Sequence, residues 1–430
     1  MYNIKVSRNP TIFGKNISKE KNMKNTNALI KVIAAILVIT MTAVLFAGCN
    51  TSNAPVMSFV KDGKTYTITE DEYSLFLKVR KRLIFCNLLY TTSKDTASFW
   101  ATESSEAGLT NEQYYMGLTL EQVKSVLVEK YLFESLGLTL SDEILNSYKP
   151  TIKSMEQSYG GKGAYKQYFG YTASDYYNIY DNMVDKSEAL LAYLCAEGGL
   201  LEVKDEDLAS YYQDHFVGYQ YIVIDLNNKV VLDEDGNRVV AKTTDSEGNE
   251  IDGDSYKTES LTDEEKETKQ TLAESILAEL AKEDAPAFEE LINLYSDEYY
   301  SVEYSDGWFV DKEGTFIDST VTEKVKDLEI GEYTKTVIES GNYQYIVKRV
   351  DLKENVYEDT EENEYYEFFT DFEEVVEYDK YENYVKSFFG DIVIDEEIIG
   401  KYSLENTFLS ADVDRYYQEI LYYYYGISSH

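Results

Sequence analysis

The sequence predicts an α+β protein, a helical domain split by an inserted α+β domain, and three observations carry that prediction. Apolar residues recur at helical spacing behind capping signals up to about Leu201, and the chain turns helical again from about Asn355. Between these stretches, period-two runs at residues 219–224 and 343–348 bracket a set of helices. The flanking helical segments are rich in aromatics and neither holds a complete core alone, so they read as one domain interrupted by the block between them.

Residues 32–47 form an apolar run behind Lys19, Lys21, Lys24 and Lys31 and close on Leu45-Phe46-Ala47-Gly48-Cys49. The run falls short of the roughly 20 residues a membrane-crossing helix needs. Small residues directly before a cysteine are the mark of a lipoprotein signal peptide, whose thiol accepts the diacylglycerol. Residues 1–48 are therefore expected to be removed as a signal peptide. Cys49 is then lipidated, and residues 49–57 form a linker at the extracytoplasmic face of the cell membrane. Met23-Lys24 would open a signal peptide of ordinary length, and translation is expected to start there.

The formal net charge is −39, from 79 acidic against 40 basic side chains. Nucleic-acid affinity rests on Lys and Arg neutralising phosphates, so nucleic acid is excluded as a partner. An acidic surface suits both plain solubility and the handling of cationic or sticky clients. The two histidines, His215 and His430, leave no His-based triad and no His-rich metal site. Acid–base work near neutral pH would fall to carboxylates, Tyr or Lys, and no cofactor or metal is expected. With Cys49 lipidated, Cys86 and Cys195 are either buried free thiols or one disulfide.

Residues 59–68 hold two alternating runs around Asp62-Gly63, a strong hairpin signal. Thr69 with Glu72 forms a capping box for a helix through Tyr73, Phe76 and Leu77; Thr119 with Gln122 forms another, ahead of Val123, Leu127 and Tyr131. Gly108, Gly137, Gly160-Gly161 and Gly170 mark turns. Residues 203–215 are one more capped helix, and residues 219–224 a strand. Residues 227–260 are poor in core residues and carry acidic turns at 233–237 and 245–249. The oxygen ligands of a calcium loop do not continue in register there, so both read as hairpin turns. Thr262 with Glu265 opens a helix bearing Leu272, Ile276 and Leu280, and Pro286 sits in the first turn of the next, with Phe288, Leu291 and Tyr295. A strand at 307–310, a helix with Val321, Val325 and Leu328 that stops at Gly331, and a strand at 343–348 close a compact α+β domain. Beyond it, Tyr365, Phe369, Phe372 and Val376 share one face of an acidic helix. Tyrosine is unusually frequent, 41 in all, with a run at 422–425; it combines apolar area with a polar tip.

On these residues the chain resembles PrsA-type foldase lipoproteins and their SurA-like relatives, in which a parvulin-type peptidyl-prolyl isomerase domain is inserted into a helical chaperone domain. The order of elements carries the resemblance, together with Tyr295-Ser296-Asp297, Gly307-Trp308-Phe309, the turn from Leu328 through Gly331 to Glu332, and Tyr345-Ile346-Val347-Lys348. It implies an N-terminal helical chaperone domain at 58–204, a parvulin-like domain at 205–352 with an insertion at 227–260, and a C-terminal segment, 353–430, that completes the chaperone domain. The family's first-strand histidine falls on Tyr221, its last-strand histidine on Tyr345, and its Cys or Asp position on Glu298. Its prolyl pocket falls on Ile317 and Val321, with Phe309 behind them. The paired-histidine arrangement is absent, so the implied isomerase is weak or lost. The resemblance implies a membrane-anchored, extracytoplasmic folding factor whose clients are unfolded or newly secreted polypeptides, and it allows a homodimer. A rival reading is a solute- or peptide-binding lipoprotein feeding a transporter, which would need two lobes of repeated βα units.

Overall fold

A computed structural model describes residues 54–87, 95–104, 108–244, 248–354, 356–358, 365 and 368–410. The signal-peptide segment, Cys49 and residues 422–425 lie outside them. The fold is α+β, and the chain divides into two compact units, Met1–Val203 with Glu374–His430, and Lys204–Glu373.

The first unit begins with the expected hairpin, β1 (Pro55–Lys61) against β2 (Lys64–Thr69). Asp62 and Gly63 at its tip have φ of 52° and 76°, the left-handed pair that matches the twist of the flanking strands. The Thr69–Glu72 box then starts α1 (Glu70–Asn87): the Glu72 N–H donates to Thr69 Oγ1 at 3.3 Å and the Thr69 N–H to Glu72 Oε2 at 2.8 Å. The short helix α2 (Ala97–Ala101) buries Trp100.

Helix α3 (Asn111–Ser135) corrects the sequence reading, because it starts eight residues before Thr119, capped by Thr110 with Gln113. Thr119 sits buried inside it, its hydroxyl donating to the Tyr115 carbonyl at 2.8 Å. A Thr that bonds four residues back stays within a helix, so the capping pattern there marks no helix start. Helices α4 (Asp142–Ser158), α5 (Lys162–Phe169) and α6 (Asn182–Cys195) follow. Gly170 ends α5 at φ 77°, and a Cβ there would meet the Phe408 ring at 2.5 Å, so glycine is required twice over. Cys195 is a buried free thiol, whereas the side chain of Cys86 falls outside those described.

The second unit opens with α7 (Asp205–His215) and β3 (Phe216–Asp225). The insertion forms two antiparallel ladders, β4 (Asn228–Val230) with a later β7 (Thr258–Ser260), and β5 (Val240–Thr244) with β6 (Glu250–Tyr256). Helix α8 (Asp263–Gln270) starts at the expected Thr262–Glu265 box but breaks at Thr271 before α9 (Leu272–Leu280). Pro286 precedes the N-cap Ala287 of α10 (Phe288–Tyr295), so it lies just outside that helix rather than in its first turn. A short α11 (Tyr299–Glu303) was not read from the sequence. After β8 (Trp308–Asp311), helix α12 (Ser319–Val325) stops short of Leu328 and Gly331. Strands β9 (Ile338–Ser340) and β10 (Tyr343–Val350) complete an antiparallel sheet of order β8-β3-β10-β9. One sheet face packs Val217, Tyr219, Tyr221, Val223, Tyr345 and Val347 against Phe316, Val321 and Val325; the other packs Ile222, Ile224 and Ile346 against α9 and α10.

Tyr365 and Phe369 precede α13 (Phe372–Lys386) rather than lying along it. Phe369 instead joins an aromatic cluster with Tyr212, Phe216 and Phe309. The chain then closes the first unit. Strand β11 (Ile392–Ile394) adds to the edge of β1, and α14 (Glu396–Ile399) follows. Lys81, buried in α1, pairs with Asp95 at 2.8 Å and donates to the carbonyls of Glu405 and Thr407 at 3.0 and 2.8 Å. The Glu112 carboxylate accepts the backbone N–H groups of Leu404 and Glu405. In α3, the buried Glu129 accepts from Ser187 Oγ at 2.6 Å and from Tyr381 Oη at 2.8 Å. No described helix is long and apolar enough to cross a membrane.

Candidate functional site

The site rests on β3, where alternation sends Tyr219, Tyr221 and Val223 to one face. In register, Val347 lies opposite Tyr221 and Tyr345 opposite Val223, so the two tyrosines sit diagonally on that face. The loop after α10 is stitched to the same strand. Asp297 N–H donates to the Val223 carbonyl at 2.8 Å, Val223 N–H to Ser296 Oγ at 3.0 Å, and Asp225 N–H to Asp297 Oδ2 at 2.9 Å. Ser301 Oγ donates to the Tyr221 carbonyl at 2.6 Å. This stitching holds the loop that carries Glu298, whose carboxylate caps α11 through Ser301 N–H at 2.6 Å and accepts from Tyr221 Oη at 3.2 Å.

Burial dominates the electrostatics. It raises the Glu298 carboxyl above the usual carboxylate range, against the lowering effect of its hydrogen bonds to Ser301, Tyr300 and Tyr221. It also raises the Tyr221 hydroxyl, with the Glu298 charge adding to the shift, and pushes Tyr345 up to about 12, with Asp318 contributing. Both tyrosines are therefore hydrogen-bond donors at neutral pH and neither is a base. Asp297 is raised by burial as well, opposed by its ion pair with Lys269.

These groups open onto a cleft of about 430 Å³ that brings together Tyr221, Glu298, Tyr345 and Ile317. Ile317 has φ of 64°, a conformation that a β-branched residue adopts only under strain, and it is 41% exposed. Both neighbours brace it. The Phe316 N–H donates to Thr322 Oγ1 at 2.9 Å, and Asp318 caps α12 through Val321 N–H at 2.9 Å while accepting from Ser340. Strain held in this way tends to sit at functional positions.

Two of the expected residues are placed elsewhere. Val321 is fully buried in the core beneath the cleft and presents no surface to it. Phe309 pairs with Gly218 in the β8–β3 register, one residue out of step with the Trp308–Tyr219 pair. Its ring accordingly faces the aromatic cluster with Tyr212 and Phe369, not the prolyl-pocket position expected behind Ile317.

The insertion is a wall of the site, which its sequence did not signal. Val230, Asp254, Tyr256 and Thr258 line the cleft. Arg238 donates to the Ser296 carbonyl at 3.1 Å and lies 5.7 Å from the Tyr256 ring, while Tyr300 Oη donates to Asp254 at 3.1 Å. Among the described residues no His, Cys, Asp or Glu group converges as metal ligands would. The cleft offers hydroxyl donors, apolar rims and the carboxyls of Asp225, Asp254, Asp297 and Glu298, the last two raised in pKa, a set that can hold a ligand by non-covalent contacts.

No protein-family model matches the chain, and no curated protein does. Among solved structures it is similar to the foldase protein PrsA from Streptococcus pneumoniae, at 17% identity over 74% of this chain and 98% of that one, with a TM-score of 0.20. It is also similar to the peptidylprolyl isomerase PrsA from Bacillus cereus, at 12% identity over 86% and 99%, with a TM-score of 0.21. A SurA-like chaperone from Campylobacter jejuni is 13% identical over 78% and 94%, with a TM-score of 0.18. Likenesses with TM-scores this low assign no role to any residue.

Proposed function

We propose that the chain is a protein-folding factor acting outside the cytoplasm, anchored through Cys49, which holds unfolded or newly secreted polypeptides and whose α+β unit binds a peptide segment in the Tyr221–Glu298–Tyr345 cleft. The observation that carries this reading is the convergence on one cleft of two buried tyrosine donors, a carboxyl of raised pKa and the strained, exposed Ile317. Rotation about an X–Pro bond faces a barrier of about 18–20 kcal/mol and breaks no covalent bond. A site speeds it only by binding the twisted imide better than the planar one. A tyrosine hydroxyl donating to the imide would supply part of that preference, with Ile317 against the prolyl ring. Such a site is a weak isomerase or, with the preference lost, a peptide-holding module.

The test uses the whole chain in a protease-coupled proline-isomerisation assay beside suppression of a client protein's aggregation. Suppression with a rate above background that falls in Tyr221→Phe and Tyr345→Phe makes the cleft an isomerase. Suppression without a rate makes the chain a holdase. Failure in both assays removes the reading. The transporter-associated alternative is not favoured, because every strand pairing among the described residues is antiparallel and repeated βα lobes are absent from them.

A further inference from the structure

The sheet face that carries the cleft holds a second cavity at its other end, and its chemistry is opposite. It encloses about 300 Å³, with Val217, Val310, Phe316 and Val325 as apolar lining and Arg349, Lys312 and Lys326 as cations. Phe316 divides the two sites. Its ring stacks on Tyr219 at 4.8 Å and 23° on this side and meets Tyr221 edge-on at 5.3 Å and 89° on the other.

Arg349 is the informative residue. Its guanidinium lies 5.4 Å from the ring of Tyr219, its partner across the β3–β10 register, and reaches the Tyr219 hydroxyl only at 3.5 Å. Its Nε is buried without a hydrogen-bond partner, and no carboxylate pairs with it among the described residues. In a chain with 79 acidic and 40 basic side chains, an arginine that faces a cavity and makes no ion pair among the described residues runs against the prevailing balance. Of the other charges, Lys312 donates to the carbonyls of Gln213 and Asp214, and Lys326 makes an exposed pair with Glu323 that an incoming anion can compete for. Asp311 is the acid in the lining, and its Oδ1 already accepts the N–H groups of Glu313 and Gly314.

We propose that this cavity is a carboxylate-binding site for a short acid with an apolar side chain, Arg349 taking the carboxylate and Val217, Val310, Phe316 and Val325 taking the side chain. A guanidinium presents a planar fork of donors that matches a carboxylate. The volume stands at the lower end of small-molecule sites, enough for one terminal residue and too little for a longer segment. The carboxylate could come from the C-terminus of a polypeptide or from a free small acid, and the site is independent of what the Tyr221 cleft does.

Isothermal titration of the whole chain decides the matter with four probes: N-acetyl-valine, N-acetyl-valine amide, a pentapeptide ending in valine with a free C-terminus, and inorganic phosphate. The expected result is binding of the acids at least ten-fold tighter than of the amide or of phosphate, with a ten-fold loss in Arg349→Met and partial retention in Arg349→Lys. Equal binding by acid and amide, equal binding by phosphate, or no binding by either acid overturns the proposal, and these comparisons need no variant to fold. Binding of the pentapeptide alone, lost in Arg349→Met, identifies a polypeptide terminus as the ligand, binding of the pentapeptide alone that survives Arg349→Met overturns the proposal, and equal binding of both acids identifies a free small acid. Tyr345→Phe, in the other cleft, is expected to leave the titrations with N-acetyl-valine, its amide and phosphate unchanged, and the pentapeptide is read only through its loss in Arg349→Met.

Discussion

Glu129 and Glu298 are the same side chain in nearly the same company, and they serve opposite ends. Each accepts from a tyrosine hydroxyl and from a serine, Tyr381 and Ser187 for Glu129, Tyr221 and the Ser301 backbone for Glu298. Burial raises the pKa of both. Glu129 is sealed in the first unit, 6% exposed, and its partners come from α6 and α13, so it fastens segments far apart in sequence. Glu298 faces a cleft, so its proton and its hydrogen bonds are within reach of a ligand. The difference lies in access, since a buried carboxyl acts on other molecules only where the packing leaves it a door.

The largest effect expected from breaking this comparison is at Glu129→Ala, which strands the Ser187 and Tyr381 hydroxyls and opens a cavity. A loss of about 3–5 kcal/mol is expected in urea unfolding, and a loss below 1 would refute the fastening role. Lys81→Met comes next. It removes the cation that holds Asp95 and the carbonyls of Glu405 and Thr407, at a cost of about 2–4 kcal/mol. Limited proteolysis should then cut first within residues 403–410.

A pH series sharpens the contrast further. A folded-state pKa above the unfolded value means that Glu129 keeps its proton longer when folded. Its contribution is therefore fully present below the unfolded value near 4.5 and is lost as pH rises through the folded one. Stability of the parent chain should fall over that window relative to Glu129→Gln, whose curve stays flatter. Parallel curves would show that Glu129 does not titrate. The smallest stability effects are expected at Tyr221→Phe and Glu298→Gln, at about 0.5–1.5 kcal/mol each. These two variants should instead change client capture and its pH dependence, which Glu129→Gln should leave alone.

Much of the fold was readable because its signals are local. Asp62-Gly63 dictates a turn, Thr69 and Thr262 cap helices, and the alternation of β3 and β10 sorts their faces. Where a pattern has two physical outcomes, local sequence does not choose between them. Thr119 with Gln122 looks like a helix start, yet the Thr hydroxyl bonds back to Tyr115 inside a longer helix. Strand β11 is three residues of Ile-Val-Ile, visible only once β1 is there to pair with it. Of the site, Tyr221, Glu298, Tyr345 and Ile317 came through resemblance and share one cleft. Phe309 lies one residue along β8 from Trp308, enough to place its side chain on the opposite face of the sheet. The wall from 227–260 had no periodic signal, because it is held by long-range contacts such as Arg238 to Ser296 and Tyr300 to Asp254.

The strand order β11-β1-β2 has a consequence in time. A chain made from its N-terminus presents β1 some 330 residues before β11 exists, so one edge of that strand stands open through most of synthesis, the kind of edge that recruits stray strands. The unit spanning Lys204–Glu373 has no such wait, since every residue it needs is in hand before the last turn of the outer unit has been made. The inserted unit can thus be complete while its host is still unfinished.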